Sequence, residues 1–285
     1  MTTKTAAKSD LNNISLRLED ALKKTLAPLS GLSCSVMFSG GFDSMLMACL
    51  ARRSQARVTA VTVAFDDLNP LTVRSAIEGA QTLGFKHQLL HVNVVEFLSA
   101  FEALAGLTEA PVLDLDLAVV YAALKKYDPK ESGNFFISGM GSDQWFGDAG
   151  LQANVVDVKA RVDEMMTSQA AHHRVAEACG CKIVFPFLSR PMLALSQQIP
   201  VEMKKDKKLL RQLKIAEGIP HRNPVIEQQV PSLIRNIVIK TYGHRALPSP
   251  VYFQDKQTAG EDTLLRQIVQ GLWMEKRKVS LHGQL

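Results

Sequence analysis

A short loop of glycine and hydroxyl residues occupies positions 39–44, directly after a run of apolar residues. Glycine lets the backbone approach an anion without a Cβ clash, and free N–H groups at a helix start bind that anion with help from the helix dipole. Serine hydroxyls can add hydrogen bonds to phosphate oxygens. The string therefore predicts a phosphate site, although a strand–helix turn with a capping residue uses the same residue types. The residues expected to contact phosphate are Ser39, Gly40, Gly41, Asp43 and Ser44.

A second string of glycine and acidic residues occupies positions 137–148 and reads Ile-Ser-Gly-Met-Gly-Ser-Asp-Gln-Trp-Phe-Gly-Asp. Gly139 and Gly141 fit the first two positions of the dinucleotide fingerprint GxGxxG, but Gln144 stands at the third, which argues against that motif. The first string likewise lacks the Gly-Lys-Ser/Thr of the other common phosphate loop. The chain thus carries two separate glycine loops, about one hundred residues apart.

Alternating strands and helices must position these two loops. Segments rich in apolar and β-branched residues predict strands, and the segments between them show helical spacing of apolar residues. Such alternation is typical of parallel βαβ units, so the predicted fold class is α/β with a parallel sheet, whose ligands bind at the carboxyl ends of the strands. The predicted strands are Cys34–Phe38, Val58–Phe65, His87–Val92, Asn134–Ser138 and Lys182–Phe185, and the predicted helices are Leu11–Leu26, Met45–Leu50, Leu71–Leu83, Val94–Ala105 and Asp116–Lys126.

After about Pro186 the strand pattern fades and proline punctuates a mainly helical remainder. We expect a tail and helix at 1–30, the α/β domain at 31–220, and a helical extension at 221–285 beside the ligand edge of the sheet. The predicted helices of this part are Leu193–Gln198, Lys207–Ala216, Val230–Lys240 and Leu264–Lys276.

The composition, 46% hydrophobic and 21% charged over 285 residues, is that of a soluble globular protein. No apolar run reaches the roughly 18 residues of a membrane span. The polar segment Met1–Asp10 lacks the core of a signal peptide and is expected to be disordered. Because the four cysteines also suggest no disulfide framework, a cytoplasmic location is expected.

The net charge of +5 is concentrated in two basic clusters. Such clusters can meet phosphates or nucleic acid, or can form a solvated helix face. Aromatic residues are only 6% of the chain and are not interleaved with the basic ones, which argues against a platform that stacks single-stranded bases. Nucleic acid is therefore an alternative partner that is not favoured. The clusters are Lys204, Lys205, Lys207, Lys208, Arg211 and Lys214, and Lys276, Arg277 and Lys278.

The two loops together resemble a known family. Residues 39–44 resemble the PP-loop of the N-type ATP pyrophosphatase superfamily, and residues 138–149 resemble the second glycine loop of the synthetase domain that asparagine synthetases and β-lactam synthetases share. Two further segments, Phe185–Ser189 and Lys208–Arg211, resemble that domain's Val-Pro-Phe-Leu-Asp and Lys-x-Leu-Leu-Arg segments. The order and spacing agree from about residue 30 to residue 220.

The resemblance implies a PP-loop, adenine nucleotide α-hydrolase-like domain that binds ATP and Mg²⁺. In that family the enzyme cuts ATP between the α- and β-phosphates, activates a small-molecule carboxylate as an adenylate, and forms an amide with ammonia or another amine. The PP-loop grips the departing pyrophosphate, and Asp43 and Asp143 are the implied Mg²⁺ ligands. Gly139 and Gly141 are the implied nucleotide contacts of the second loop, and Val63 marks the strand edge that holds adenine.

Some residues depart from the family pattern. The glutaminase domain begins with a nucleophilic cysteine, whereas this chain begins Met1-Thr2, so ammonia would come from a separate partner or the amine would be a different one. Gln144 replaces a glutamate, and a neutral amide cannot act as a general base, so its catalytic role is left open. A lysine normally stabilises charge on the transferring phosphoryl group. Lys256 is the preferred counterpart of that lysine, and Lys240 is the alternative.

Two other functions stay open from the sequence. The chain could adenylate a carbonyl of a nucleobase or tRNA for sulfur or nitrogen transfer, or it could be a nucleotide-binding subunit without chemistry of its own. The resemblance also implies that the loop from Glu109 to Asp116, which begins where the family has a Glu-x-Pro segment, faces the substrate through Asp114, although a helix N-cap is the simpler role for that residue. A zinc site made of His172, His173, Cys179 and Cys181 is not favoured.

Overall fold

The computed structural model describes residues 2–66, 68–109, 111, 113–146, 158–199, 207–213, 218–219, 229–247 and 261–282. Within these ranges five strands form one parallel sheet in the order β3-β2-β1-β4-β5. The strands are β1 (Ser33–Met37), β2 (Arg57–Phe65), β3 (Lys86–Val92), β4 (Phe135–Ile137) and β5 (Lys182–Val184).

Helices connect the strands and cover the sheet. The helices are α1 (Thr2–Leu26), α2 (Phe42–Arg53), α3 (Pro70–Leu83), α4 (Val94–Leu107), α5 (Leu115–Leu124), α6 (Pro129–Ser132), α7 (Ser142–Phe146), α8 (Val158–Ala178), α9 (Arg190–Ser196), α10 (Lys208–Arg211), α11 (Gln229–Tyr242) and α12 (Glu261–His282). Helix α2 packs against β1 and β2, α3 and α5 pack against β2 and β3, and α8 packs against β5. The central strand β1 is therefore buried, as is usual in a parallel sheet.

Local sequence signals explain where several helices begin and end. Helix α3 ends at Gly84, which adopts the left-handed conformation with φ of 67° that glycine takes without strain. Helix α4 begins with a capping box in which Asn93 and Glu96 each accept a hydrogen bond from the other's backbone N–H. Gly84 thus marks the end of α3 before β3, and the capping box marks the start of α4 after β3.

The predicted α/β class with a parallel sheet is confirmed, and the ends of all five predicted strands agree to within one residue. The predicted disorder of Met1–Asp10 is wrong from Thr2 onward, because α1 continues through this segment, whose alanine and lysine residues favour a helix. Helix α8 was not predicted. The predicted helix Lys207–Ala216 is observed only as α10, because the positive φ of Lys207 excludes that residue from the helix, and residues 214–217 lie outside the described ranges.

The order of the strands creates a crevice at the carboxyl end of β1. The chain runs outward from β1 through β2 to β3, then returns to the opposite side of β1 with β4 and β5. Where the direction of strand addition changes, the loops that follow the two neighbouring strands separate and leave space for a ligand. The loops after β1 and β4, which carry the two glycine strings, leave the sheet at this point.

The C-terminal helices pack on one another and on α4. The Tyr242 hydroxyl donates a hydrogen bond to the Leu98 carbonyl (3.0 Å), and the Trp273 indole N–H donates to the Thr108 carbonyl (3.1 Å). The predicted helical character of this part is confirmed for the described segments, while the domain boundaries at residues 30 and 220 stay predictions. Over the described ranges, no helix is both long enough and apolar enough to cross a membrane.

Candidate functional site

The loop after β1 is held in place by hydrogen bonds among its own residues. The Gly41 N–H donates to Ser39 Oγ (3.3 Å), and Ser44 Oγ donates to the Gly41 carbonyl (2.9 Å). Gly41 is the N-cap of α2 and, having no side chain, makes no side-chain capping bond to the first turn of this helix. The loop therefore presents backbone N–H groups and the positive end of the helix dipole toward the crevice, as an anion site requires.

Gly40 is required here for two reasons. Its φ of 73° lies in the left-handed region. A Cβ on this residue would also lie 2.5 Å from the Ser75 carbonyl carbon and 2.6 Å from the Ala76 backbone nitrogen, both in α3. Only a residue without a side chain lets the loop lie this close to α3.

The second glycine loop lies directly beside the first. A Cβ on Gly139 would be 3.1 Å from the Cβ of Asp43, and a Cβ on Gly141 would be 2.5 Å from a methyl carbon of Leu188. The loop after β4 is thus enclosed between the phosphate loop and the Pro186–Leu188 turn. The loop after β1, the loop after β4 and the Pro186–Leu188 turn, which are far apart in the sequence, therefore meet at this place.

Lys207 joins the two loops electrostatically. Its ammonium group is ion-paired with Asp43 Oδ2 and lies 2.7 Å from Asp143 Oδ1. The Lys207 and Asp43 side chains are only 16% and 20% exposed, whereas Asp143 is 56% exposed. One positive charge is therefore shared by two carboxylates, which gives the group a net negative charge when both are ionised.

Asp43 has the properties expected of a metal ligand. Its Oδ1 atom is buried and has no hydrogen-bond partner of good geometry among the described residues, although the Ser142 hydroxyl lies near enough to lower the pKa of this carboxyl. Burial raises the pKa of the Asp43 carboxyl, the positive charge of Lys207 opposes this rise, and the negative charge of Asp143 adds to it. An orphaned carboxylate oxygen next to a second carboxylate is a donor set that a hard cation such as Mg²⁺ prefers.

The number of carboxylates at this place, two, also fits magnesium. Among the described residues, no group of three or more His, Cys, Asp or Glu side chains is placed to hold a metal ion. Mg²⁺ bound with substrate phosphates usually takes one or two carboxylates and keeps several waters. The two carboxylates therefore fit a cation that arrives with a phosphate-bearing ligand.

A cavity of about 280 Å³ adjoins the phosphate loop. Its walls are mostly apolar and come from the ends of β1 and β2 and from α5, and Ile234 of α11 also reaches it. Val63, the residue predicted at the adenine edge, lines this cavity, as does Ser39. An apolar recess beside an anion-binding loop suits a molecule with a flat apolar part and a phosphate chain.

Two carboxylates lie at the start of α5. Asp116 also lines the cavity, and burial raises the pKa of its carboxyl, with the negative charge of Asp114 adding to the rise and His172 opposing it. Asp114 is the N-cap of α5, since its Oδ1 accepts from the Leu117 N–H (2.9 Å), and its Oδ2 accepts from the Ser168 hydroxyl (3.0 Å). The simpler structural role predicted for Asp114 is therefore present.

The end of β2 is closed by a side-chain amide. Asn69 Nδ2 donates to the Val63 carbonyl (2.9 Å), and Asn69 Oδ1 accepts from the Phe65 N–H (2.9 Å). Both backbone groups belong to the strand edge that the family resemblance assigns to adenine. The Asn69 amide thus already forms hydrogen bonds with the Val63 carbonyl and the Phe65 N–H of this edge.

The three predicted catalytic residues are not brought together by the described structure. Lys240 is exposed in the last turn of α11, and none of its described contacts joins it to either loop. Lys256 lies outside the described residues. The backbone of Gln144 forms part of α7, but its side chain is not among the described parts of the structure. Their assignments stay predictions.

Lys207 is the residue that sequence reasoning did not assign to the site. The sequence placed it in a basic cluster with a general affinity for phosphate, and that cluster was the available signal. Another cluster member, Arg211, lies with its guanidinium carbon 4.6 Å from the centre of the Phe42 ring at the start of α2. Lys207 therefore belongs to the site, and Arg211 packs against the start of α2.

Burial disfavours the thiolate form of two cysteines, Cys34 and Cys181. Burial raises the pKa of the Cys34 thiol to about 11, and burial together with the neighbouring Cys179 raises that of Cys181 to about 11. A thiol of this pKa is almost entirely protonated at neutral pH, and the protonated form is a weak nucleophile.

Comparison with known proteins gives matches in sequence and in fold. A family model described as asparagine synthase matches residues 13–166. Proteins of Mycobacterium bovis and Mycobacterium tuberculosis, each named putative asparagine synthetase (glutamine-hydrolyzing), are 26% identical over 136 residues, which is 48% of this chain and 20% of theirs. The chain thus spans about one fifth of the length of these curated relatives.

Solved structures show more distant similarity. A tRNA thiolase of Methanococcus maripaludis matches with a TM-score of 0.43 and 13% identity over 93% of this chain and 80% of its own. An NMN synthetase of Francisella tularensis matches with a TM-score of 0.35 and 12% identity over 85% of this chain and 99% of its own. Similarity at this level carries no information on substrates.

Proposed function

The chain belongs to the asparagine synthase family, and we propose from this that it is an ATP-dependent ligase. In the proposed reaction a substrate carboxylate is activated as an acyl-adenylate and then joined to ammonia or another amine. The observation that carries the proposal is the contact between the two glycine loops, where a Cβ on Gly139 would lie 3.1 Å from that of Asp43.

The phosphate chain of ATP would lie on the loop after β1. Gly40 lets this loop lie close against α3, and the first turn of α2, which has a glycine N-cap, would provide N–H donors for phosphate oxygens. The hydroxyls of Ser39 and Ser44, with oxygens 3.4 Å apart, hydrogen-bond within the same loop, and their oxygens would have to exchange these bonds to contact phosphate. The adenosine part would then enter the cavity next to Val63.

The charge of the phosphates would be balanced by groups at the meeting point of the loops. Asp43 and Asp143 would hold Mg²⁺, which supplies positive charge to the pyrophosphate as it leaves. Lys207 lies between the same carboxylates and would place an ammonium group next to the phosphates. Charge that develops during phosphoryl transfer needs such a group, and neither Lys240 nor Lys256 is shown to supply it.

The proposed chemistry has two steps. An oxygen of the substrate carboxylate forms a bond to the α-phosphorus, while the bond from that phosphorus to the bridging oxygen breaks and pyrophosphate leaves. The amine nitrogen then bonds to the acyl carbon, AMP leaves with the former carboxyl oxygen, and the nitrogen gives up a proton. Gln144 cannot accept this proton because a neutral amide is not basic, so solvent or a group outside the motif must take it.

An exchange experiment tests the first step. Radiolabelled pyrophosphate is incubated with ATP, Mg²⁺ and each member of a panel of amino acids and other carboxylic acids, and label in ATP is measured. Exchange that requires one acid and no amine is the expected result. Asp43→Asn and Asp143→Asn should each reduce the exchange rate by at least about a hundredfold, the scale of losing one preorganised charge-stabilising group.

The controls separate the competing functions. Asp20→Asn removes the same charge from an exposed position on α1 and should leave exchange unchanged. Formation of AMP only with RNA present would indicate the alternative of tRNA or nucleobase adenylation, and ATP binding without any exchange would indicate a non-catalytic subunit. Release of ADP and phosphate would contradict cleavage between the α- and β-phosphates.

Addition of ammonia or candidate amines to the adenylating mixture then identifies the acceptor and shows whether an ammonia-supplying partner is needed.

A further inference from the structure

Lys207 is held by more interactions than an ordinary surface lysine. Its side chain is 16% exposed and is paired with carboxylates from both glycine loops. Its backbone has a φ of 54°, a left-handed conformation that costs a residue with a side chain on the order of 1–2 kcal/mol. Backbone strain of this kind persists only where surrounding interactions fix it, and it is concentrated at functional positions.

The position of this ammonium group conflicts with a bound metal. Asp43 and Asp143 together carry two negative charges when ionised, and Lys207 offsets one of them. A divalent cation held by the same carboxylates would place two further positive charges beside the ammonium group. Like charges held on the same pair of carboxylates in a partly buried place repel, which favours release of the ammonium group when the metal binds.

We propose that Lys207 is a positioning residue that holds Asp43 and Asp143 together before ATP binds and yields both carboxylates to the divalent cation when the nucleotide arrives. Binding is then an exchange of cations between the protein and the metal–nucleotide complex. The phosphate chain gives the released ammonium group a new anionic partner, which the metal alone does not provide. This inference rests on the proposed function, since it takes the two aspartates as the metal ligands.

The exchange predicts that the free metal ion binds weakly and the metal–nucleotide complex binds tightly. Without nucleotide, a divalent cation must displace Lys207 and leave its ammonium group unpaired in a partly buried place, which is costly. With nucleotide present, the same displacement moves the ammonium group from one set of anionic oxygens to another. Removal of Lys207 should therefore have opposite effects on the two binding reactions.

Metal affinity without nucleotide is the direct test. Mn²⁺, a paramagnetic cation that oxygen ligands also bind, is titrated into the protein and free Mn²⁺ is followed by electron paramagnetic resonance. Lys207→Met should bind Mn²⁺ about tenfold more tightly than the unaltered protein, which corresponds to roughly 1.4 kcal/mol. In the same variant the affinity for ATP with Mg²⁺, measured by calorimetry, should fall about tenfold, again roughly 1.4 kcal/mol.

Matched variants exclude simpler explanations. Lys86→Met removes the same charge from an exposed position of β3 and should change neither affinity. Lys207→Arg keeps the positive charge and should retain weak Mn²⁺ binding, and Asp43→Asn combined with Lys207→Met should abolish the gain. An unchanged or weaker Mn²⁺ affinity in a folded Lys207→Met variant would overturn the inference. A gain in Mn²⁺ affinity without pyrophosphate exchange for any acid would refute the proposed function but not the role of Lys207.

Discussion

Gly40 is the residue on which the shape of the phosphate loop depends most directly. It has a left-handed backbone, as does Gly31, and the two φ values are 73° and 74°. They differ in their surroundings, because a Cβ on Gly40 would meet the backbone of Ser75 whereas a Cβ on Gly31 would meet nothing within 4 Å. A side chain at Gly31 would therefore cause only backbone strain, whereas a side chain at Gly40 would cause the same strain and a steric clash with α3.

Alanine substitution at both glycines tests this separation. Gly31→Ala should lower the free energy of unfolding by about 1–2 kcal/mol through the strained backbone alone. Gly40→Ala should lower it by at least about 2 kcal/mol more, because backbone atoms of α3 have to move. Urea denaturation followed by circular dichroism measures both values. Equal losses would show that the close approach to α3 is not a constraint.

The sequence predicted some site residues more readily than others. Glycine and aspartate in the two loops could be identified because their residue types and their order along the chain form a recognisable pattern. Lys207 could not be assigned in this way, because it lies 164 positions from Asp43 and one lysine in a basic cluster looks like the next. Only the folded chain shows that Lys207 pairs with Asp43 and Asp143.

The pairing of β2 with β3 includes a partly buried histidine. His87 Nε2 lies 2.8 Å from the Thr62 hydroxyl oxygen, which itself donates to the Phe38 carbonyl at the start of the phosphate loop. Burial lowers the pKa of His87 below its ordinary value of 6.5. The unfolded chain therefore binds a proton at a higher pH than the folded chain does at this residue.

This difference gives stability a defined dependence on pH. As pH falls below 6.5, unfolding takes up a proton at His87, so its contribution to the free energy of unfolding declines until the folded state is protonated as well. Replacement His87→Gln should make the decline between pH 7 and pH 5 shallower than in the unaltered protein. Thermal melting across that range provides the measurement, with exposed His91→Gln as the control. Parallel curves for the His87→Gln variant and the unaltered protein would contradict this assignment.

At the scale of whole elements, strands were easier to predict than some helices. Each strand combines β-branched or aromatic residues with flanking turn residues, and a parallel sheet buries these runs on both faces. Helix α8 gave a weaker signal because its buried positions include the small residues Ala171 and Ala176 beside Val175. Small side chains contribute little to a hydrophobic pattern even where they permit close packing.

The attachment of the C-terminal helices to the rest of the molecule depends on a close approach at Gly271. A Cβ on Gly271 would lie 1.8 Å from the Arg245 carbonyl oxygen, so α12 can contact the Gly243–Arg245 turn only without a side chain there. Arg245 in turn is ion-paired with Glu102 of α4, at 3.2 Å. One glycine thus allows α4, α11 and α12 to meet.

A second pair of glycines tests this arrangement across the molecule. Gly271→Ala should lower the free energy of unfolding by at least about 2 kcal/mol, because the helix or the turn must shift. Gly106 in α4 is also helical, but a Cβ on this residue would meet nothing within 4 Å, so Gly106→Ala should raise stability by about 0.5–1 kcal/mol through helix propensity. Opposite shifts in the urea midpoint are the expected outcome. A stabilising effect of both substitutions would show that the C-terminal helices are not seated as described.

The amide of Asn69 links recognition of a base to the architecture of the β2–α3 connection. Its donor and acceptor form the same pair of hydrogen bonds to Val63 and Phe65 that an adenine amino group and its adjacent ring nitrogen would form. Any base that reads these backbone groups must first expel the side chain, and it replaces hydrogen bonds of equal kind. The net binding free energy of such a base would therefore come from contacts with the apolar walls of the cavity. The turn at the start of α3 would lose the two hydrogen bonds that Asn69 now makes.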